Sequence, residues 1–378
     1  MQIVLDRYRD PDTARALAMA IRGRSTRPIC LMEFCGGHTH AVLRFGVPDL
    51  LPPTLELRSG PGCPVCVTSA AELDYALALA RVPGVILATF GDMMRVPGSP
   101  NPAHRTTTLA QAKADGADVR VVYSPLDALH IARENPTRPV AFLGVGFETT
   151  APMVAAAVLL AEQERVTNFS IFSMHKLTPP AMRAVLDAGE VALNGIIGPG
   201  HVTTIIGAAA WQFLPEEYGI PVAVAGFEPA DILRAILALV EMVENARPRV
   251  ANLYARSAKA GGNVTAQVVL ERVFEVADAE WRGFGVIPVS GLRLREEYAR
   301  FDAARLFPIE VEPAREPAGC RCGEVLRGVL MPPECPLFAG VCTPQSPVGP
   351  CMVSAEGACA AHYTYGGRGA VKSIRADR

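Results

Sequence analysis

Val140-Ala141-Phe142-Leu143-Gly144-Val145 runs directly into Gly146-Phe147-Glu148-Thr149-Thr150. An apolar stretch of strand length ends there in a glycine turn that opens a helical pattern. A weak echo follows: Val222 to Ala225 is again apolar, and Gly226-Phe227-Glu228-Pro229 again follows it and opens a helix. The echo is too short to prove duplication, but it marks a strand–turn–helix unit used more than once. Working outward, Ile29 to Phe34, Thr54 to Leu57, Val85 to Phe90, Val119 to Tyr123, Phe169 to Met174 and Gly195 to Gly198 read as further buried strands. Helical patterns lie between several of them, such as Ala70 to Arg81 with Leu73, Ala76, Leu77 and Ala80 on one face. Alternation of this kind predicts parallel sheets covered by helices.

With 378 residues the chain exceeds one ordinary core. The expectation is an α/β protein with two parallel-sheet, Rossmann-like domains that carry helices on both faces. A third, C-terminal domain would combine helices with irregular Pro/Cys-rich chain. The Asn135-Pro136-Thr137-Arg138-Pro139 seam divides domain I (28–137) from domain II (138–231). Domain III takes 1–27 and 232–378. A short helix from Thr13 to Ile21, opened by Asp10-Pro11, falls in it. So do an apolar helix from Ile232 to Asn245 and another from Glu271 to Ala279.

Half the residues are hydrophobic and 20% are charged, which excludes general disorder. Lys+Arg 36 against Asp+Glu 38 leaves a formal net charge of −2 without a basic cluster, so no nucleic-acid partner is expected. Met1 to Arg7 lacks the apolar core of a signal peptide, and stretches such as Ala151 to Leu160 are too short for a membrane span. A cytoplasmic protein without a membrane partner is expected. In a reducing compartment ten cysteines argue for metal ligation or redox chemistry over structural disulfides.

The densest cysteines are at the C-terminal end: Cys320, Cys322, Cys335, Cys342, Cys351 and Cys359 fall within forty residues of Pro-rich, aperiodic chain. Such a segment cannot bury a core and needs a cross-link. Zinc favours two knuckles of closely paired ligands, and only Cys320-Arg321-Cys322 is close. Separately delivered thiolates suit a 4Fe-4S cubane better. Six cysteines for four places leave two spare, which spacing does not identify.

Gly60-Pro61-Gly62-Cys63-Pro64-Val65-Cys66 holds a C-x-x-C, and Ser69-Ala70-Ala71-Glu72 just beyond it matches a capping box. A helix end near both sulfurs favours thiolate, so Cys63 and Cys66 read as a redox pair rather than half a zinc site. In Met32-Glu33-Phe34-Cys35-Gly36-Gly37-His38-Thr39-His40, Cys35 falls at the carboxyl edge of a strand, where open α/β sheets place their sites. A lone thiolate on a glycine turn is a soft ligand for a low-spin iron that keeps other positions open. The weaker signals are Gly198-Pro199-Gly200-His201-Val202-Thr203-Thr204, equally structural or functional, and His175, which reads as packed or solvated. Gly144 to Thr150 resembles a phosphate-cradling turn but lacks the P-loop lysine, and Glu148 reads instead as lining a cleft.

Together Cys35-Gly36-Gly37-His38-Thr39-His40, Gly60 to Cys66, Gly146-Phe147-Glu148-Thr149-Thr150, Cys320-Arg321-Cys322-Gly323 and Glu356-Gly357-Ala358-Cys359-Ala360 resemble the HypD family, the iron–sulfur maturation proteins of nickel–iron hydrogenases. The resemblance implies a scaffold on which an Fe(CN)2CO group is assembled as cargo. It also implies a HypC-type small chaperone whose N-terminal cysteine shares the iron, and a HypE-type donor that carries cyanide as a thiocyanate. By position it implies Cys35 as iron ligand with His38 beside it, and Cys63 and Cys66 as the thiol pair. Cys322, Cys335, Cys342 and Cys359 would be the cluster ligands. Electrons would pass from the cluster through Cys63/Cys66 to the site at Cys35. Two other classes share some of these features. An iron–sulfur disulfide reductase similar to ferredoxin:thioredoxin reductase has no use for Cys35, and a zinc-dependent binding module has no redox work.

Overall fold

The computed structural model describes residues 8–100 and 108–366. The reading of Met1 to Arg7 and the ends of domain III at 1–7 and 367–378 lie outside the described residues. Two parallel sheets form the frame. The first takes β1 (Ile29–Glu33) and β2 (Leu55–Ser59) from the start of the chain. The chain then builds a second sheet from β3 (Ile86–Thr89), β4 (Asp118–Val121), β5 (Val140–Gly144) and β6 (Phe169–Ser173). It returns to the first sheet with β7 (Gly195–Pro199), β8 (Val222–Ala225) and β9 (Val250–Asn252). The orders are β2-β1-β7-β8-β9 and β4-β3-β5-β6.

The seam expected between residues 137 and 138 is therefore not a boundary between sheets. β3 pairs with β5 across it, Ile86 opposite Val140, and β1 pairs with the distant β7, Leu31 opposite Gly195. Buried apolar strands such as β3, β5 and β8 give no local sign of which sheet they join, because every residue of each is covered on both faces.

Local sequence explains most individual elements. Asp10 caps the helix Pro11–Arg24 through its side chain, with Pro at the start, and so lengthens the segment expected from Thr13 to Ile21. The helix Pro229–Glu244 buries one long apolar face, including Ile232, Leu233, Ile236, Leu239 and Val240, against β7, β8 and the N-terminal helix. Each such side chain contributes about 1.5–3 kcal/mol of burial.

One element is corrected. The helix expected from Glu271 to Ala279 ends at Val273, and β10 (Phe274–Trp281) pairs antiparallel with β11 (Gly285–Leu294). The two strands turn at Arg282-Gly283-Phe284, with Gly283 at φ 82, a left-handed conformation that glycine adopts without strain. Aromatic and β-branched Phe274, Val276 and Trp281 suit a strand, and only the partner strand supplies the hydrogen bonds that decide it. The hairpin reaches the segment that follows β6 through Leu177 N–H donating to Ser290 O, 2.8 Å. Among the described residues no helix is long and apolar enough to cross a membrane.

Candidate functional site

Cys35 leaves β1, which lies between β2 and β7, so the chain departs on both sides of it: a topological switch point of the first sheet. The residue caps the helix Gly36–Arg44 and is 7% exposed. Its N–H donates to Glu33 Oε2 at 2.9 Å, and Thr39 Oγ1 donates to Glu33 Oε1. Glu33 is itself buried, and desolvation pushes its pKa up to about 7. Burial, then the carboxylates of Glu356 and Glu33, hold the Cys35 thiol well above its usual range. A cation bound there must displace that proton, and its charge makes the displacement favourable.

His38 is fully buried one turn along. Nε2–H is directed to Ala225 O at 3.2 Å and Gly226 O at 3.0 Å, at the end of β8, which leaves Nδ1 as the unprotonated atom. Nδ1 is buried and has no hydrogen-bond partner. Desolvation pushes the His38 pKa down to about 4, so the ring is neutral. Phe227 stacks on His38, ring centroids 4.5 Å apart, and also on His201, 3.9 Å apart. Both glycine-turn segments, Gly198 to Thr204 and Gly226 to Pro229, are thus drawn to the Cys35 turn. His40 is turned to the tail instead, with Nδ1 3.2 Å from Ala355 O.

Three close backbone approaches assemble the rest. Gly36 N–H donates to Gly62 O at 2.8 Å, and a Cβ on Gly62 would come within 2.5 Å of Cys35 Cα. A Cβ on Gly36 would come within 2.5 Å of Glu356 Cβ, so the tail lies directly on the Cys35 turn. The third approach joins the pair to the tail: Cys66 Sγ is 4.0 Å from Pro350 O, the residue before Cys351. Gly62→Ala is accordingly expected to cost about 1–3 kcal/mol through overpacking. Gly23→Ala, with nothing within 4 Å, is the control in urea unfolding and should show no loss. Equal stability of both variants would contradict the packing at Gly62.

Cys63 and Cys66 are joined as a disulfide, Cα–Cα 5.2 Å, and are 3% and 0% exposed. Cys63 caps the short helix Pro64–Val67, its Sγ accepting from Cys66 N–H at 3.2 Å. The capping box of Ser69 and Glu72 starts the helix Ala70–Ala80 immediately afterward.

In the tail, Cys320, Cys322, Cys335, Cys342, Cys351 and Cys359 all line one small apolar cavity. Cys320 and Cys351, which the resemblance leaves idle, are on the same wall as the other four. Cys351 is the most covered, at 1%. Hydrogen bonds from Cys320 and then Cys351 pull the Cys322 pKa down, and those same bonds push Cys320 and Cys351 up. Val348 N–H donates to Cys342 Sγ at 3.3 Å. Among the described residues no group of three or more His, Cys, Asp or Glu closes on a single metal ion. Six thiols around one hollow, with Leu337 and Phe338 also on its wall, suit the donor set of an iron–sulfur cluster.

Two weaker signals lie buried. Glu148, expected to line a cleft, is 3% exposed and accepts from Thr178 N–H at 2.8 Å and Thr178 Oγ1 at 2.9 Å. Burial pushes its pKa up to about 7. His175 is 1% exposed, with Nδ1 3.0 Å from Ser173 Oγ. Sequence reasoning missed Glu33, whose only signal was its place two residues before Cys35. It also missed Phe227 as a platform for two histidines.

The fold and site define an α/β protein of two parallel sheets in which a lone thiol, a vicinal cysteine pair and a cysteine-rich tail meet at one edge. The profile of the HypD family, described as "Hydrogenase formation hypA family", matches residues 12–366, and the chain belongs to that family. It is 48% identical over 370 residues to the hydrogenase maturation factor HypD of Azotobacter vinelandii, covering 96% of each chain. It is 44% identical over 369 residues to the hydrogenase maturation factor HypD of Escherichia coli K12, covering 96% of this chain and 97% of that one.

Proposed function

We propose that this chain is a cytoplasmic hydrogenase maturation factor, the scaffold on which the Fe(CN)2CO group of a nickel–iron site is assembled. The observation that carries the reading is the meeting of three sulfur sets: Gly62 against Cys35, Glu356 against Gly36, and Cys66 beside Pro350. The iron cargo would be held by Cys35 and by the N-terminal cysteine of a HypC-type small chaperone, with neutral His38 beside it. Buried Glu33 fixes the Cys35 backbone, and the turn is itself buried, with His38 and Thr39 covered beside it.

A HypE-type donor would bring cyanide as a cysteinyl thiocyanate. Releasing it needs two electrons. Cys63 and Cys66 as dithiol supply them together: two thiols and one thiocyanate become one disulfide, one donor thiol and hydrogen cyanide, which binds iron as cyanide with loss of a proton. Cys322, Cys335, Cys342 and Cys359 would hold a 4Fe-4S cluster, and that group supplies single electrons for renewing the dithiol. Pro350-Cys351 lies between this cavity and Cys66, the short route such transfer requires.

The test is infrared spectroscopy on protein purified anaerobically with its small partner. Bands of metal-bound cyanide and CO support the scaffold. Their absence, with steady turnover of a disulfide substrate, selects the reductase reading. Cys63→Ala should lose the cyanide bands. Normal bands in that variant would remove the dithiol from the route while leaving the scaffold intact.

A further inference from the structure

The hairpin turn Arg282-Gly283-Phe284 is wedged between the cysteine pair and the cysteine-rich tail. On one side Trp281 bridges Thr68, and Arg282 N–H donates to Val67 O at 2.9 Å, just past Cys66. On the other side Gly283 meets Gly323, the neighbour of Cys322: a Cβ on Gly283 would be 2.9 Å from Gly323 O. Arg327 Nη1 closes the joint by donating to Gly283 O at 2.6 Å.

Arg282 is 4% exposed. Its Nε donates to Thr68 O at 3.0 Å, its Nη1 pairs with Glu316, and its Nη2 is buried with no hydrogen-bond partner. The Glu316 side chain is 52% exposed, so this one carboxylate is a solvent-weakened counter-ion for a guanidinium whose own side chain is 2% exposed. Burying a cation is costly unless an anion nearby compensates it. Arg282 immediately precedes Gly283, whose backbone meets Gly323, the neighbour of Cys322 on the cavity wall.

We propose that Arg282 is a positioning residue and the fixed counter-charge of the tail's metal–thiolate centre, holding it against the disulfide helix and raising its reduction potential. This rests on the cysteine cavity holding a 4Fe-4S cluster. One electron from an external one-electron donor takes a cubane with four thiolates from a net charge of −2 to −3. A fixed positive charge stabilises the more negative state more strongly, so the centre is reduced more readily.

The experiment is anaerobic reconstitution of wild type, Arg282→Lys and Arg282→Gln, with iron and sulfide analysis followed by redox titration. Wild type and Arg282→Lys should titrate together. Arg282→Gln should keep its iron and become harder to reduce by about tenfold in the equilibrium constant, about 59 mV for one electron. Iron lost from Arg282→Gln but kept in Arg282→Lys also supports the counter-charge. An unchanged potential in Arg282→Gln, or a fall as large in Arg282→Lys, overturns it, as does loss of iron from both. A colourless wild type refutes the cluster reading itself, and so is distinguishable from failure of the arginine's role alone.

Discussion

Cys35→Ala protein, co-purified anaerobically with its small chaperone, is expected to carry no metal-bound cyanide or CO bands, and cells relying on it should lack mature nickel–iron hydrogenase. The physical basis is the isolation of this thiol. It is the side chain at the switch point that offers a soft donor, and the neighbouring Glu33 oxygens are already occupied by Cys35 N–H and the Thr39 hydroxyl. A serine in its place supplies a harder oxygen with a much higher pKa, so Cys35→Ser should fail as well. Folding should be little affected, by about 1 kcal/mol as for a small buried truncation. The tail's iron should remain, because its cysteines are separate from Cys35. Infrared spectra, iron analysis and urea unfolding of the purified variant, together with hydrogenase activity of the cells, check these points. Persistence of the bands in Cys35→Ala would remove the iron from this thiol.

The second large effect concerns the tail. Replacing Cys322, Cys335, Cys342 or Cys359 by Ser should reduce the iron of anaerobically reconstituted protein to below about a tenth of wild type, because a cluster held by four thiolates also cross-links aperiodic chain. Cys320→Ser and Cys351→Ser are expected to keep the brown chromophore. All six thiols share one cavity, so the two extra cysteines line the same hollow as the four ligand positions. Iron lost from Cys320→Ser and retained in Cys322→Ser would exchange the assignment of that pair. Iron kept in all six variants would refute a four-thiolate centre in the tail.

Much of the frame was legible along the chain. Val222–Ala225 is a strand over the range expected, and Ser69 with Glu72 starts a helix at Ala70, because strand runs and capping boxes are local. Glu271 to Ala279 was misread because β10 is decided by a partner strand four to twenty residues away, not by its own period. The seam at Asn135 to Pro139 misled in the same way, since a proline-rich loop marks a chain reversal without saying which sheet comes next.

At the site, the three cysteine sets were recognisable as chemistry from residue type and spacing. Their meeting was not, because it depends on contacts such as Gly62 on Cys35 and Gly36 on Glu356. Sequence alone determined the strand–helix alternation, the sulfur inventory and the family resemblance, all written in short stretches of neighbouring residues. Tertiary structure alone decided the interleaving of two sheets, the hairpin wedged behind the cysteine pair and the common edge where the sulfurs gather. Those features rest on hydrogen bonds and backbone approaches between segments up to about three hundred residues apart, for which neighbouring residues carry no signature.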